Sequence, residues 1–320
     1  MTETTRKIIL DVDPGIEEVL PMCMALYEPR FNVLGITACG GHVSSQRALH
    51  TIQQIIGAID PPRLPRLGVG ADLAIRPMPT SERGFWSSSG LENLDVQVAD
   101  YFTTHPAEKI LSDLIRSNPN EITLITLGPL TNVARAFTRD KGLASLVHRM
   151  IIVGGTVLEP GNATVSAEYN FYRDPQAART IFQCPVAKTL VPLDITRKVL
   201  LDYDFLKHLP SDHTRLGSFL RKIIPQSFHL HRQYLGIEGM HAPGVVALMA
   251  LLQPGLFSGK MMAGDIETDG ELTRGMTVFD RRRVMRWTPN IDVLTTVDAA
   301  EILYSIYTFL DKLREPWTTS

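Results

Sequence analysis

Four acids fall within eight residues near the start of the chain, in the run Asp11-Val12-Asp13-Pro14-Gly15-Ile16-Glu17-Glu18. Carboxylates gathered this closely repel one another unless protons or a cation compensate them. A hard divalent ion with oxygen ligands is the natural partner; the hydroxyls of a sugar are another. Pro14 and Gly15 permit the tight turn that folds the acids back on one point. Taken alone, Glu17 and Glu18 also suit the first turn of a helix, where they complement its dipole. That account does not extend to Asp11 and Asp13, which follow directly from an apolar run.

The elements that hold these acids read as alternating strands and helices. Residues 7–13 form a strand that ends in acids, and residues 17–27 a helix. Strands over 31–39, 122–127, 149–153 and 186–191 and helices over 45–59, 130–137 and 175–182 continue the alternation. The strands are largely apolar, as expected when helices cover both faces of a sheet. The expected fold class is therefore α/β: a single domain over residues 1–320, with a mostly parallel central sheet flanked by helices. Such sheets bind ligands beyond the C-terminal ends of their strands. Asp11, Asp13, Gly40-Gly41, Gly128 and Gly154-Gly155 all stand at such ends, so one rim collects acids and glycines. Residues 72–104 form a long stretch rich in Pro, Ser and Gly. Two readings of it stay open, an active-site loop and a plain surface excursion.

Composition narrows the partners. The 320 residues are 44% hydrophobic and 21% charged, with a net charge of -2, as in an ordinary globular chain. That balance argues against nucleic acid or an anionic membrane as partner. Residues 244–252 are the longest clean apolar run, too short to span a bilayer. The N-terminus lacks the apolar core of a secretory signal. Cys23, Cys39 and Cys184 lack metal-like spacing and read as buried reduced thiols, so a cytoplasmic location is expected.

Asp-x-Asp-Pro-Gly at the end of the first strand, followed by an acidic pair, resembles the signature of the inosine-uridine preferring nucleoside hydrolases. The resemblance continues through Ile36-Thr37, Gly128-Pro129-Leu130-Thr131-Asn132 and Gly154-Gly155. It extends over residues 161–170, Asp174-Pro175-Gln176-Ala177-Ala178, Leu193-Asp194-Ile195-Thr196, His241 and Gly275-Met276-Thr277-Val278. It covers roughly residues 7 to 312 in order. It implies a nucleoside hydrolase-like fold and cleavage of the N-glycosidic bond of a ribonucleoside by a metal-activated water. Calcium is the implied metal, the nucleoside the implied partner, and a homodimer or homotetramer the implied assembly. Position by position, the resemblance makes Asp13 the metal-bound general base and Glu18 a metal ligand. Leu127 supplies a backbone carbonyl to the metal. Glu17, Asn162, Glu168 and Asn170 fall at sugar-binding positions, His241 at the acid that protonates the leaving base, and Asp11 at a supporting position.

Some positions depart from the pattern. Ala242 stands where the family has an aspartate, which removes one anionic metal ligand. Glu17 and Glu18 replace two aspartates and add a methylene each. His42 stands where many members have Asn, and it either touches a ligand or caps its loop. Where relatives often carry His-Gly and an acid, this chain has Trp86, Ser87 and Ser89, and Trp86 either stacks on a base, fills an interface or plugs the pocket. A weak, altered or absent calcium site is compatible with these changes. Two functions follow: a ribonucleoside hydrolase, or a catalytically impaired homologue that binds a ribosylated ligand or acts as a scaffold. His229 and His231 precede His241 on a segment that lines the base pocket in relatives, and either is a candidate to face a ligand. A dinucleotide-binding enzyme is disfavoured, because acids rather than Gly-x-Gly-x-x-Gly follow the first strand.

Overall fold

Strand β1 (Arg6–Val12) divides the core in two. Side chains alternate across a strand. Ile8, Leu10 and Val12 enter one apolar cluster and Ile9 enters the other, all four without solvent exposure. Burying side chains of this size contributes roughly 1.5–3 kcal/mol each. The computed structural model describes residues 5–71, 103–282, 284 and 286–313.

The other strands of the main sheet are β2 (Phe31–Ala38), β3 (Arg66–Val69), β4 (Thr104–Pro106), β5 (Thr123–Thr126), β6 (Arg149–Val153) and β7 (Lys188–Val191). Outside it, β8 (Leu200–Leu201) pairs with β9 (Met240–His241). Strand β10 (Phe257–Met262) returns to the sheet, β11 (Gly264–Ile266) and β12 (Thr277–Phe279) form a separate pair, and β13 (Ile291–Val297) closes the set. The helices are α1 (Ile16–Tyr27), α2 (Ser45–Ile59), α3 (Ala107–Ser117), α4 (Thr131–Arg139), α5 (Tyr169–Arg173), α6 (Pro175–Gln183), α7 (Leu193–Thr196), α8 (Phe205–His208), α9 (Arg215–Leu230), α10 (Pro243–Leu252) and α11 (Ala299–Lys312). Residues of α1, α2, α9, α10 and α11 fill the cluster on one face; α3, α4 and α6 fill the other.

The sheet has nine strands in the order β10-β13-β7-β6-β5-β1-β2-β3-β4. Neighbours run parallel except β10, which lies antiparallel to β13 at the edge. The expected α/β fold with a mostly parallel sheet is therefore present. From β1 the chain goes to β2, β3 and β4 on one side, then crosses to β5, β6 and β7 on the other. The strand order reverses between β1 and β5, and such a reversal opens a crevice at the strands' C-terminal ends. Register places Asp11 level with Thr37 on β2 and Thr126 on β5.

Local chemistry starts the helices where the sequence suggests. The Ser44 side chain accepts from the Arg47 N–H at the start of α2, and Asp174 accepts from the Ala177 N–H ahead of Pro175. Elements absent from the sequence reading are β3, β4, α3, the short α5, α7, β8 and α8, and most of the C-terminal third. Strands β3 and β4 have four and three residues, too short for a period to register. Strand β10 exposes four of its six residues, so it carries no alternating apolar signal. Residues 244–252 fall within α10, and no described helix is long and apolar enough to cross a membrane. All three cysteines are free; Cys23 and Cys39 are buried, whereas Cys184 is only partly so.

Candidate active site

Asp11 is the fully buried end of the acidic strand. Its Oδ1 accepts from Thr37 Oγ1 at 2.5 Å and from Asn132 Nδ2 at 2.9 Å. Burial pushes its pKa up to about 7 against those two hydrogen bonds. Asp11 thus ties β1 to β2 and to α4, beneath the rim rather than on it.

Asp13 lies in the turn after β1 and is 1% exposed. Its Oδ2 accepts from the main-chain N–H of His42 at 2.7 Å and stands 2.6 Å from the His42 ring Nδ1. Its Oδ1 is buried and takes no hydrogen bond among the described residues. Two glycines make room for this carboxylate. A Cβ on Gly41 would lie 1.9 Å from Asp13 Oδ2. A Cβ on Gly128 would lie 2.6 Å from Cys39 Sγ and 2.8 Å from the backbone nitrogen of Asp13. Gly128→Ala should therefore lower stability by about 1–3 kcal/mol, the usual cost of overpacking. Denaturant unfolding checks this; an unchanged midpoint would mean that Cys39 and Asp13 yield freely.

Glu17 and Glu18 open α1, and both are buried. The Gly15 N–H donates to Glu18 Oε2 at 3.0 Å. Burial first, and then the Glu17 charge, push the Glu18 pKa up to about 8. Asp13 and His42 also act on Glu18, so the turn does bring the acids to one place. Glu17 Oε1 lies 2.9 Å from His231 Nε2. His231 is fully buried just beyond α9, and its Nδ1 lies 2.9 Å from the Ser227 carbonyl oxygen. Burial works to lower the His231 pKa, but the Glu17 carboxylate overrides it and the pKa is raised. His229 is exposed.

The remaining sequence candidates lie along the loops after β5 and β6 and before α10. Glu168 is buried at the start of α5 and accepts from the N–H groups of Asn170, Phe171 and Gly155 at 2.9–3.2 Å. Burial outweighs those donors and pushes its pKa up to about 7. Asn170 Nδ2 donates to the Leu127 and Val153 carbonyls, both at 3.2 Å. Asn162 Oδ1 accepts from the Tyr169 N–H at 2.8 Å. The Tyr169 ring stacks on His42 with centroids 4.2 Å apart and planes 5° from parallel. His241 ends β9, with Nδ1 3.4 Å from the Val199 carbonyl oxygen and its ring centroid 6.3 Å from that of His231. Burial lowers the His241 pKa. Ala242 is 2% exposed immediately before α10. Trp86 and nearly all of 72–104 lie outside the described residues.

The sequence reading left the role of His231 open and assigned none to Tyr169, Thr37 or Asn132. The last three sit inside motifs that were noted, but no local pattern reveals what they touch.

Calcium is the ion that the resemblance implies for these acids. The buried, unpartnered Asp13 Oδ1 favours an ion. The other donors oppose it. Asp13 Oδ2 already faces His42, Glu18 Oε2 already accepts from Gly15, and the Leu127 carbonyl already accepts from Asn170, so each would have to share with an ion. Position 242 offers a methyl group. Calcium takes about 6–8 oxygen ligands, and its affinity depends on their charge. Among the described residues, no three His, Cys, Asp or Glu side chains are grouped to hold a metal ion. The residues as arranged do not fit calcium.

The family model described as "Inosine-uridine preferring nucleoside hydrolase" matches residues 8–303. The chain is 29% identical to uridine nucleosidase 1 of Arabidopsis thaliana, covering 93% of this chain and 90% of that protein. It is 28% identical to the non-specific ribonucleoside hydrolase RihC of Escherichia coli strain SMS-3-5 / SECEC, covering 91% and 93%. Its fold superposes on the plant nucleoside hydrolase PpNRh1 with a TM-score of 0.85 and 27% identity, over 96% of this chain and 99% of that one.

Proposed function

Because the chain belongs to the inosine-uridine preferring nucleoside hydrolase family, we propose that it hydrolyses the N-glycosidic bond of a ribonucleoside to ribose and free base. The observation that carries this reading is Asp13 Oδ1, a buried carboxylate oxygen at the strand-order reversal that no described residue engages. Such an oxygen is ready to accept a proton from an attacking water. Water adds to the anomeric carbon, the carbon–nitrogen bond breaks, and its electron pair leaves with the base. Asp13 takes the water's proton and His241 gives one to the departing nitrogen. Positive charge develops on the ribosyl ring, and the carboxylates of Asp13 and Glu17 stabilise it. Asn162, Glu168 and Asn170 hold the sugar loops in register. Members of the family commonly bind calcium, but no step here runs through an ion that these residues do not fit. Residues 1–320 are read as one domain of this type.

Reducing-sugar release from a panel of purine and pyrimidine ribonucleosides tests the reading. Release that disappears in an Asp13 variant supports it. No release across the panel removes it and leaves the second reading, a homologue that binds a ribosylated ligand without cleaving it. Ala242, in place of a family carboxylate, is the observation that keeps that second reading in view.

The histidine adds a pH test. Proton donation requires the charged form of His241, and burial lowers its pKa. The limb of kcat/KM that depends on this acid should therefore fall as pH rises through a value below the usual histidine pKa of about 6.5. His241→Gln should erase that limb. A limb that persists in the variant would assign the proton to another group.

A further inference from the structure

The loop after β2 brings His42 directly onto Asp13. Its main-chain N–H and its ring nitrogen address the same oxygen, Asp13 Oδ2, at 2.7 and 2.6 Å. Gly41 permits the approach, since a Cβ there would lie 1.9 Å from that oxygen. Parallel stacking on Tyr169 at 4.2 Å holds the ring in place. The ring is not a private partner of Asp13: it interacts electrostatically with Glu17, Glu18 and Glu168 as well. The ring thus contacts Asp13 and stands near the other acids, of which Glu17 has its own imidazole in His231. The ring stands on one of the two Asp13 oxygens and within the space among the acids, so a divalent ion held by Asp13 and Glu18 would compete with it for that carboxylate and that space.

We propose that the His42 ring takes the place of the metal ion in this pocket, so that the chain does not bind calcium there. Ala242 completes the substitution. A carboxylate at that buried position would have no ion to face, and an unpaired buried charge is costly. Two departures that look unrelated along the chain are then one change: the side chain that supplies the base arrives, and the acid that needed the ion leaves. The inference rests on the proposed function only for the identity of the pocket.

Isothermal titration of calcium chloride into the substrate-free full chain tests it without reference to activity. The natural chain should show no saturable binding up to about millimolar calcium, the weak end of protein calcium sites. The variant His42→Asn with Ala242→Asp should gain saturable binding, about 10-fold or more tighter, because it frees Asp13 and restores an anionic ligand. Ala242→Asp alone should not gain it, because His42 still covers Asp13. Saturable binding by the natural chain at any calcium concentration up to about millimolar overturns the proposal. So does binding by Ala242→Asp as tight as that of the double variant, or a folded double variant that binds nothing. Should the double variant fail to fold, the natural chain and Ala242→Asp still decide. Hydrolysis is assayed separately with and without chelator: a chain that cleaves no nucleoside in either condition overturns the proposed function and leaves the calcium titration standing, whereas cleavage that chelator abolishes overturns the calcium-free pocket.

Discussion

Asp13→Asn should lower kcat/KM by about 10²- to 10⁴-fold on any ribonucleoside the chain cleaves, the range for losing a positioned general base. The replacement is isosteric, so the fold should persist. An amide oxygen in the place of Oδ2 still accepts from the His42 N–H, and Gly41 and Gly128 still fit around it. What disappears is the basicity of Oδ1, the oxygen that no described residue occupies. Steady-state kinetics beside a thermal melt separates the two effects. A folded variant within a few-fold of the natural chain would remove Asp13 from proton transfer and the proposed mechanism with it.

The second large effect is on stability. His231→Phe should cost about 3–5 kcal/mol, because it leaves the buried Glu17 carboxylate without its imidazole. Glu17→Leu should also destabilise, by stranding His231. The double replacement should recover much of the loss, since a well-packed apolar pair often matches a buried ionic one. A double-mutant cycle in urea measures this, and a coupling under about 0.5 kcal/mol would show that the two side chains act independently. The pH dependence has a definite sign. The folded-state pKa of His231 is raised by Glu17. The stabilisation is therefore fully present below the unfolded histidine value and is lost as pH rises through the raised folded value. The natural chain should lose this increment on passing to alkaline pH, and the double variant should not.

These two experiments probe pairings that the linear order conceals. Asp13, Glu17 and Glu18 were legible as a cluster, because Pro14-Gly15 lies between an apolar strand and a helix start. The fold class was legible for a similar reason: β1, β2, β5, β6 and β7 are apolar runs separated by amphipathic helices. Strand β10 was not, because an exposed antiparallel edge lacks both signals. Trp86, a candidate to stack on the base, falls outside the described residues, so its role stays with the sequence reading.

The sequence by itself determined where the acids stand, since strand periodicity and turn chemistry act over a few residues and place Asp11 near the end of β1 and Asp13 just beyond it. It also marked Ala242 as a missing carboxylate. Only the tertiary structure decided what the acids face. His42 reaches Asp13 because β2 lies beside β1, and His231 reaches Glu17 because α9 packs on α1. The physical reason is range. Backbone preference is local, whereas the partner of a buried charge is whichever polar group the packing of distant elements delivers to it.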